Sequence, residues 1–252
     1  MAEFIDLFSS RAASYARFRP TYPAAMIESL ARLSPERRLA WDCGTGNGQA
    51  AVLLAAHFER VVASDASSKQ LAQATPHPYV EYREASAESS GLASGSVDLV
   101  TVAQALHWFP IEAFYAEVQR VLVPNGLLAV WTYSLVRITP EIDAVVDHFY
   151  HARVGRYWLP ERAHVDAGYR TLPFPFPELS SEPWASEVHL DRDALLGYVS
   201  TWSAVSRCYA AEGVDPVPEL EAALEPVWPD ASVRLPARWP IGLRAGRRPA
   251  DA

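Results

Sequence analysis

Two short stretches hold residue types whose spacing could do chemistry. In Asp42-Cys43-Gly44-Thr45-Gly46-Asn47-Gly48-Gln49, three glycines alternate with polar residues behind a carboxylate. A second carboxylate, Asp65, follows in Val61-Val62-Ala63-Ser64-Asp65-Ala66-Ser67. Glycine accepts positive φ and lets a ligand approach the main chain closely. A helix starting just after such a turn offers free N–H groups and the positive end of its dipole. Dinucleotide binders want a glycine where this chain has Gln49. A carboxylate directly before the turn would also repel a pyrophosphate, whereas it suits a ligand carrying an ammonium group. Asp65 reads in two ways, as the acceptor for a ribose diol or as the cap of a helix beginning near Ser67.

The elements needed to position these residues are visible in the hydrophobic periodicity. Short strands are expected at Leu39–Asp42, Val61–Ser64, Tyr79–Arg83, Val97–Ala103 and Leu127–Tyr133, the last introduced by a Pro124-Asn125-Gly126 turn. Helical patterns lie between them at Gln49–Phe58, Ser67–Ala74 and Ile111–Leu122, and two more precede the first strand. Strands alternating with helices imply crossover connections and a mainly parallel sheet with helices on both faces. Both carboxylate turns then fall at carboxyl ends of neighbouring strands, where open α/β sheets bind ligands. Beyond residue 137 the rhythm changes to helices at Glu141–Arg153, Asp191–Val205 and Glu219–Val227. Proline-rich loops separate them, and a last strand over Val233–Arg244 is expected to be broken by Pro236 and Pro240.

Composition narrows the function classes. The chain has 252 residues, half of them hydrophobic, with a net charge of -8, which disfavours nucleic-acid binding through phosphate neutralisation. Cys43 and Cys208 are too few for a disulfide framework or a structural zinc site. His148 and His151 share a predicted helix face, but no third ligand is spaced to join them. No apolar run approaches the ~20 residues of a membrane span, and the amino terminus lacks signal-peptide character. A cytoplasmic protein is the expectation.

The chain resembles the class I S-adenosylmethionine-dependent methyltransferases, and within them the small-molecule branch that contains trans-aconitate methyltransferases. The residues that carry the resemblance are Tyr15 with Arg19-Pro20 and Tyr22-Pro23, Asp42 to Gly48, and Asp65-Ala66-Ser67. Further along, it rests on Ser96 to Val100, Ala105-Leu106-His107-Trp108-Phe109 and Arg120 to Leu128. The resemblance implies a Rossmann-like α/β fold, a mainly parallel seven-stranded sheet with helices on both faces and a small helical cap. It divides the chain into a lid (1–35), a cofactor-binding core (36–135), an acceptor-binding cap (136–230) and a terminal strand with tail (231–252). It assigns the methionine end of S-adenosylmethionine to Asp42, Gly44, Thr45, Gly46, Asn47 and Gly48, with Gln104 and Ala105 beside them. Asp65 would take the ribose, while Ala66, Gln70, Ser86 and Ala87 would border the adenine. The family often has a carboxylate where Ser86 stands. Arg19 would pair with the cofactor carboxylate, and His107 would border the donor methyl as a catalytic base.

An acceptor pocket is expected from Tyr15, Trp108, Arg153 and Trp158. Arg156 and Arg170 lie nearby in sequence, a set that suits a small organic acid and carboxyl O-methylation. The expected partner is a small-molecule methyl acceptor, with the protein a monomer or weak dimer. A methyltransferase acting on protein, a non-catalytic S-adenosylmethionine-binding protein and a hydride-transferring oxidoreductase are the alternatives. The last conflicts with Gln49.

Overall fold

The structure, a computed structural model, describes residues 19–250. Tyr15 and most of the expected lid therefore lie outside the described residues. In chain order the first half contains α1 (Ala24–Leu33), β1 (Leu39–Cys43), α2 (Gln49–Leu54), β2 (Arg60–Asp65), α3 (Ser68–Leu71) and β3 (Val80–Glu84). It continues with β4 (Val97–Ala103), a short 3-10 turn (Leu106–Trp108), α4 (Ile111–Val121) and β5 (Leu122–Tyr133). The second half contains α5 (Pro140–His148), a π-helical turn (Phe149–Arg153), a 3-10 turn (Gly155–Tyr157) and α6 (Arg162–Asp166). Then follow β6 (Trp184–Leu190), α7 (Arg192–Ser200), α8 (Ser203–Glu212), α9 (Val217–Leu224) and β7 (Leu235–Arg247).

The sheet has seven strands in the order β3-β2-β1-β4-β5-β7-β6. Strands β1 to β5 pair in parallel, and β7 runs antiparallel to both β5 and β6. The chain direction of travel reverses between β1 and β4, so a crevice opens beyond their carboxyl ends. Side chains alternate between two cores, as the period of a strand demands. Leu127, Ala129 and Trp131 of β5 enter the core shared with α1 and the second-half helices, and Leu128 and Val130 enter the core capped by α4. Trp41 is fully buried on the α4 side and satisfies its indole N–H on Ser64 Oγ at 2.8 Å.

Three differences from the sequence reading have physical causes. Strand β6 arises within the stretch expected to hold only helices and loops; only Ser186 and Leu190 of it are buried, so its apolar alternation is too weak to read. The Pro124-Asn125-Gly126 turn lies inside β5, where Asn125 takes φ 62° and the register with β4 shifts. Pro236 and Pro240 do not break β7. Arg238, on the same side of the strand, donates toward Arg137, so each missing proline N–H faces the side where β5 has ended.

At the opposite end of the sheet from the crevice, Asp98 at the start of β4 is fully buried. Its Oδ2 accepts from the backbone N–H groups of Arg38 and Leu39, both at 3.0 Å, and this pins the entry of β1. Asp98→Ala would leave these two main-chain donors without their acceptor and cost about 2 kcal/mol of stability. Urea denaturation should show that loss, with binding of S-adenosylhomocysteine unchanged in the variant that remains folded.

Candidate active site

The glycine turn closes β1 on a buried carboxylate. Asp42 Oδ2 accepts from Thr45 Oγ1 at 2.5 Å and Oδ1 accepts from Thr101 Oγ1 at 2.8 Å, so one side chain ties the turn to β4. Burial raises its pKa to about 6 against the pull of those two hydroxyls. Gly44 and Thr45 donate their N–H groups to the carbonyl of Ser64, at 2.8 and 3.0 Å. Gly44 has φ 70°, and a Cβ there would come within 2.6 Å of Ala105 Cβ and 3.0 Å of the Phe109 ring. Gly48 has φ 85°, and its missing Cβ leaves room for the Tyr82 hydroxyl. Gly46 differs: a Cβ there would meet only Gln70 Oε1, at 4.0 Å. Open space therefore lies over the middle of the turn.

Asp65 ends β2 beside this turn. Its Oδ2 accepts from Gly46 N at 2.8 Å and its Oδ1 from Ser67 N at 2.9 Å. Ser67, not Asp65, is the N-cap of α3, accepting from Gln70 N. Burial raises the Asp65 pKa as well. Neither Asp42 nor Asp65 forms an ion pair among the described residues. Ser86 and buried Ala87 follow β3 next door, where Ala85 N donates to the Asp65 carbonyl at 3.1 Å. Ala66 is exposed, and Asn47 is half-buried.

The end of β4 joins this region to a cleft partly open to solvent. Gln104 takes φ 58°, a left-handed conformation seldom adopted by a residue with a side chain and concentrated at functional sites. Its N–H donates to the Trp131 carbonyl at 2.9 Å, and its Oε1 accepts from Thr132 Oγ1 at 2.7 Å. Gln104 lines the cleft together with Arg19, His107, Trp108, Trp158 and Arg162. Arg19 donates to Tyr133 Oη at 2.8 Å and to the Thr201 carbonyl at 3.2 Å, which bridges the sheet to α7.

His107 Nδ1 lies 3.0 Å from Tyr169 Oη, and its ring packs 4.6 Å from that of Trp108. Burial, reinforced by Arg162 and His164, lowers its pKa to about 3. The imidazole is thus neutral at physiological pH and a weak proton acceptor, which counts against the catalytic-base role that the family suggested.

The guanidinium facing the cleft is not the expected one. Arg153 is tied to Glu219 at 2.6 Å and to Glu212 at 2.8 Å, and it does not line the cleft. Arg156 also pairs with Glu212, and Arg170 is exposed. Arg162 takes the position instead, stacked 4.6 Å over the Trp158 ring and hydrogen-bonded to Asp166 and Tyr150 through Nε alone. Sequence reading missed Arg162, Tyr169 and Thr101. The four-residue spacing of Trp158 and Arg162 was a signal, but Pro160 between them hides it. Among the described residues no three His, Cys, Asp or Glu side chains gather to hold a metal. No helix among them is long and apolar enough to cross a membrane.

Comparison with known proteins bears on this geometry. Residues 41–130, from β1 to β5, match the family described as "Methyltransferase domain". A Dictyostelium discoideum protein, itself assigned as a methyltransferase by inference, is 38% identical over 226 residues, 88% of this chain and 86% of its own. An uncharacterised methyltransferase of Mycobacterium bovis is 32% identical over 200 residues, 78% of this chain and 76% of its own. A solved structure from Anaeromyxobacter dehalogenans, described by inference as a type II methyltransferase, is 49% identical. It superposes with a TM-score of 0.87 over 91% of this chain and 98% of its own. With this sheet order, glycine turn and extent of likeness, the chain belongs to the class I S-adenosylmethionine-dependent methyltransferases.

Proposed function

We propose that the protein transfers the methyl group of S-adenosylmethionine to a small organic acid held in the cleft between Arg19 and Arg162. The observation that carries this reading is the cleft lining. It combines a guanidinium whose terminal nitrogens have no hydrogen-bond partner among the described residues with an imidazole that burial keeps neutral.

The residues at the glycine turn fit the cofactor. A buried carboxylate, Asp42, and a half-buried one, Asp65, with no ion-pair partner among the described residues suit a ligand bearing positive charge, and the space above Gly46 admits one against the main chain. On this reading Asp42 and the backbone from Gly44 to Gly48 hold the methionine end, with Gln104 and Ala105 beside it. Asp65 accepts from the ribose, Ala66, Gln70, Ser86 and Ala87 border the adenine, and Arg19 faces the cofactor carboxylate. When bound, S-adenosylmethionine supplies a methyl group on a sulfonium, which leaves readily without acid assistance.

The chain's own task is then alignment and exclusion of water. Gln104, locked by Thr132 and by the Trp131 carbonyl, forms the wall between the turn and the cleft. Trp108 and Trp158 close the cleft with apolar surface. Because His107 is a poor base, the acceptor must arrive already ionised. A carboxylate does so near neutral pH, whereas a phenol or an amine would have to lose a proton first. Arg162 supplies the charge that holds it.

A methyl-transfer screen with labelled donor over carboxylic acids, phenols and amines should find acids as acceptors. Arg162→Met should raise their KM at least about tenfold and leave the dissociation constant of S-adenosylhomocysteine unchanged. Phenols or amines as the preferred acceptors would sink the acid reading. Asp42 gives a second test. Its folded pKa is raised, so its contribution to stability is present at acid pH and is lost as pH rises through about 6. Asp42→Asn should therefore raise the stability of the ligand-free protein at pH 8 by roughly 3 kcal/mol, with no gain at pH 4. The same substitution should abolish cofactor binding. In the unsubstituted protein, affinity for S-adenosylhomocysteine should fall about tenfold per pH unit below about 6, as measured by calorimetry.

A further inference from the structure

The wall that holds the acceptor has two sides. Trp158, Leu159 and Arg162 line the cleft, and the same three residues line a second cavity of about 340 Å³, more open to solvent than the cleft. Its remaining surface comes from Tyr150 and His151 on the π-helical turn, Gly155, and Pro160, Ala163 and Asp166 in and around α6. Single π-helical turns are rare and occur mostly at functional sites. Here the turn continues α5 and brings Tyr150 and His151 to the cavity.

Three polar groups of this outer cavity, on Tyr150, Arg162 and Asp166, satisfy one another, and the His151 ring packs edge-on 4.9 Å from Tyr150. Arg162 Nε donates to Tyr150 Oη at 2.7 Å and to Asp166 Oδ1 at 2.9 Å, and Tyr150 Oη donates to Asp166 at 2.8 Å. These bonds take up Nε of Arg162 and the Tyr150 hydroxyl, and the Asp166 carboxylate lines this cavity and not the cleft, so it disfavours an anion on this side of the wall. What remains is apolar: the rings of Tyr150 and Trp158, 4.9 Å apart, with Leu159, Pro160 and Ala163. Trp158, which lines both chambers, has a buried Nε1 with no hydrogen-bond partner among the described residues. A buried donor without a partner is costly unless a ligand supplies the acceptor.

We propose that the outer cavity is a second acceptor subsite, and that it takes the flat, apolar, non-reacting end of an acid whose carboxylate lies in the cleft. The acceptor class is then an arylated or similarly extended carboxylate, with its body passing Trp158. Arg162 lines both chambers, and its Nε is bonded to Tyr150 and Asp166 of the outer cavity. This inference rests on the methyl-transfer reading above and narrows it.

Calorimetric titration of the protein saturated with S-adenosylhomocysteine compares butyrate with 4-phenylbutyrate. The phenyl compound should bind at least about tenfold more tightly, the gain expected for burying an aromatic ring. Ala163→Trp and Gly155→Phe each fill the outer cavity alone. Ala163 is exposed on α6, and a Cβ on Gly155 would meet nothing closer than the Tyr150 carbonyl at 3.6 Å. In both variants the ratio of the two affinities should fall to near one. Equal affinities in the unsubstituted protein, or a ratio that survives in both variants, would overturn the subsite. Failure of S-adenosylhomocysteine to bind at all would instead overturn the methyl-transfer reading, so the two failures are separable.

Discussion

A carboxylate buried at the junction of β1, β4 and the glycine turn is the constraint on which the site depends. Asp42 is almost wholly shielded from water, and two threonine hydroxyls are its hydrogen-bond donors. Desolvation at that depth works against the ionised form, and the raised pKa records the balance. The free protein therefore carries a destabilising charge, one that a cationic ligand above the turn would relieve. Stability given up at a binding site in this way is a common trade between folding and function.

Close main-chain approach then couples the glycine turn to the cleft. Gly44 has no Cβ because Ala105 and Phe109 occupy that space, and Ala105 follows directly on Gln104. The left-handed backbone at Gln104 is sustained by bonds to β5 on one side, and Gln104 lines the cleft. Displacing any one of the three would move the others. The rigidity that methyl transfer requires thus comes from contacts within the sheet's upper edge and not from a loop alone.

In the second half, charge is sorted by function. Arg153 and Arg156 are spent on Glu212 and Glu219, fastening the π-helical turn and its neighbour to α8 and α9. Such pairs are largely exposed and contribute little energy individually, but together they orient the wall that contains Trp158. Arg162 is paired only through Nε, and its aromatic stacking on Trp158 and Tyr150 shields it from bulk water. A guanidinium desolvated in this way binds an anion more strongly than one at the surface.

The sequence by itself determined the features whose cause is local. The glycine turn, Asp65 beyond the second strand and the strand–helix alternation follow from backbone permissiveness and hydrophobic period over a few residues. They were legible for that reason. So was the family, because Asp42 to Gly48 and the stretches around Asp98, His107 and Asn125 each have characteristic chemistry at short range. Only the tertiary structure decided which of these two arginines lines the cleft, since Arg153 and Arg162 look alike until Glu212 and Glu219 are brought back to Arg153 from 59 and 66 residues away. It likewise decided that the His107 pKa is lowered, because burial and the approach of Arg162 and His164 have no trace in a triplet. And it placed β6 on the sheet through pairing with β7, a long-range hydrogen-bond ladder that an exposed edge strand does not announce in its own side chains.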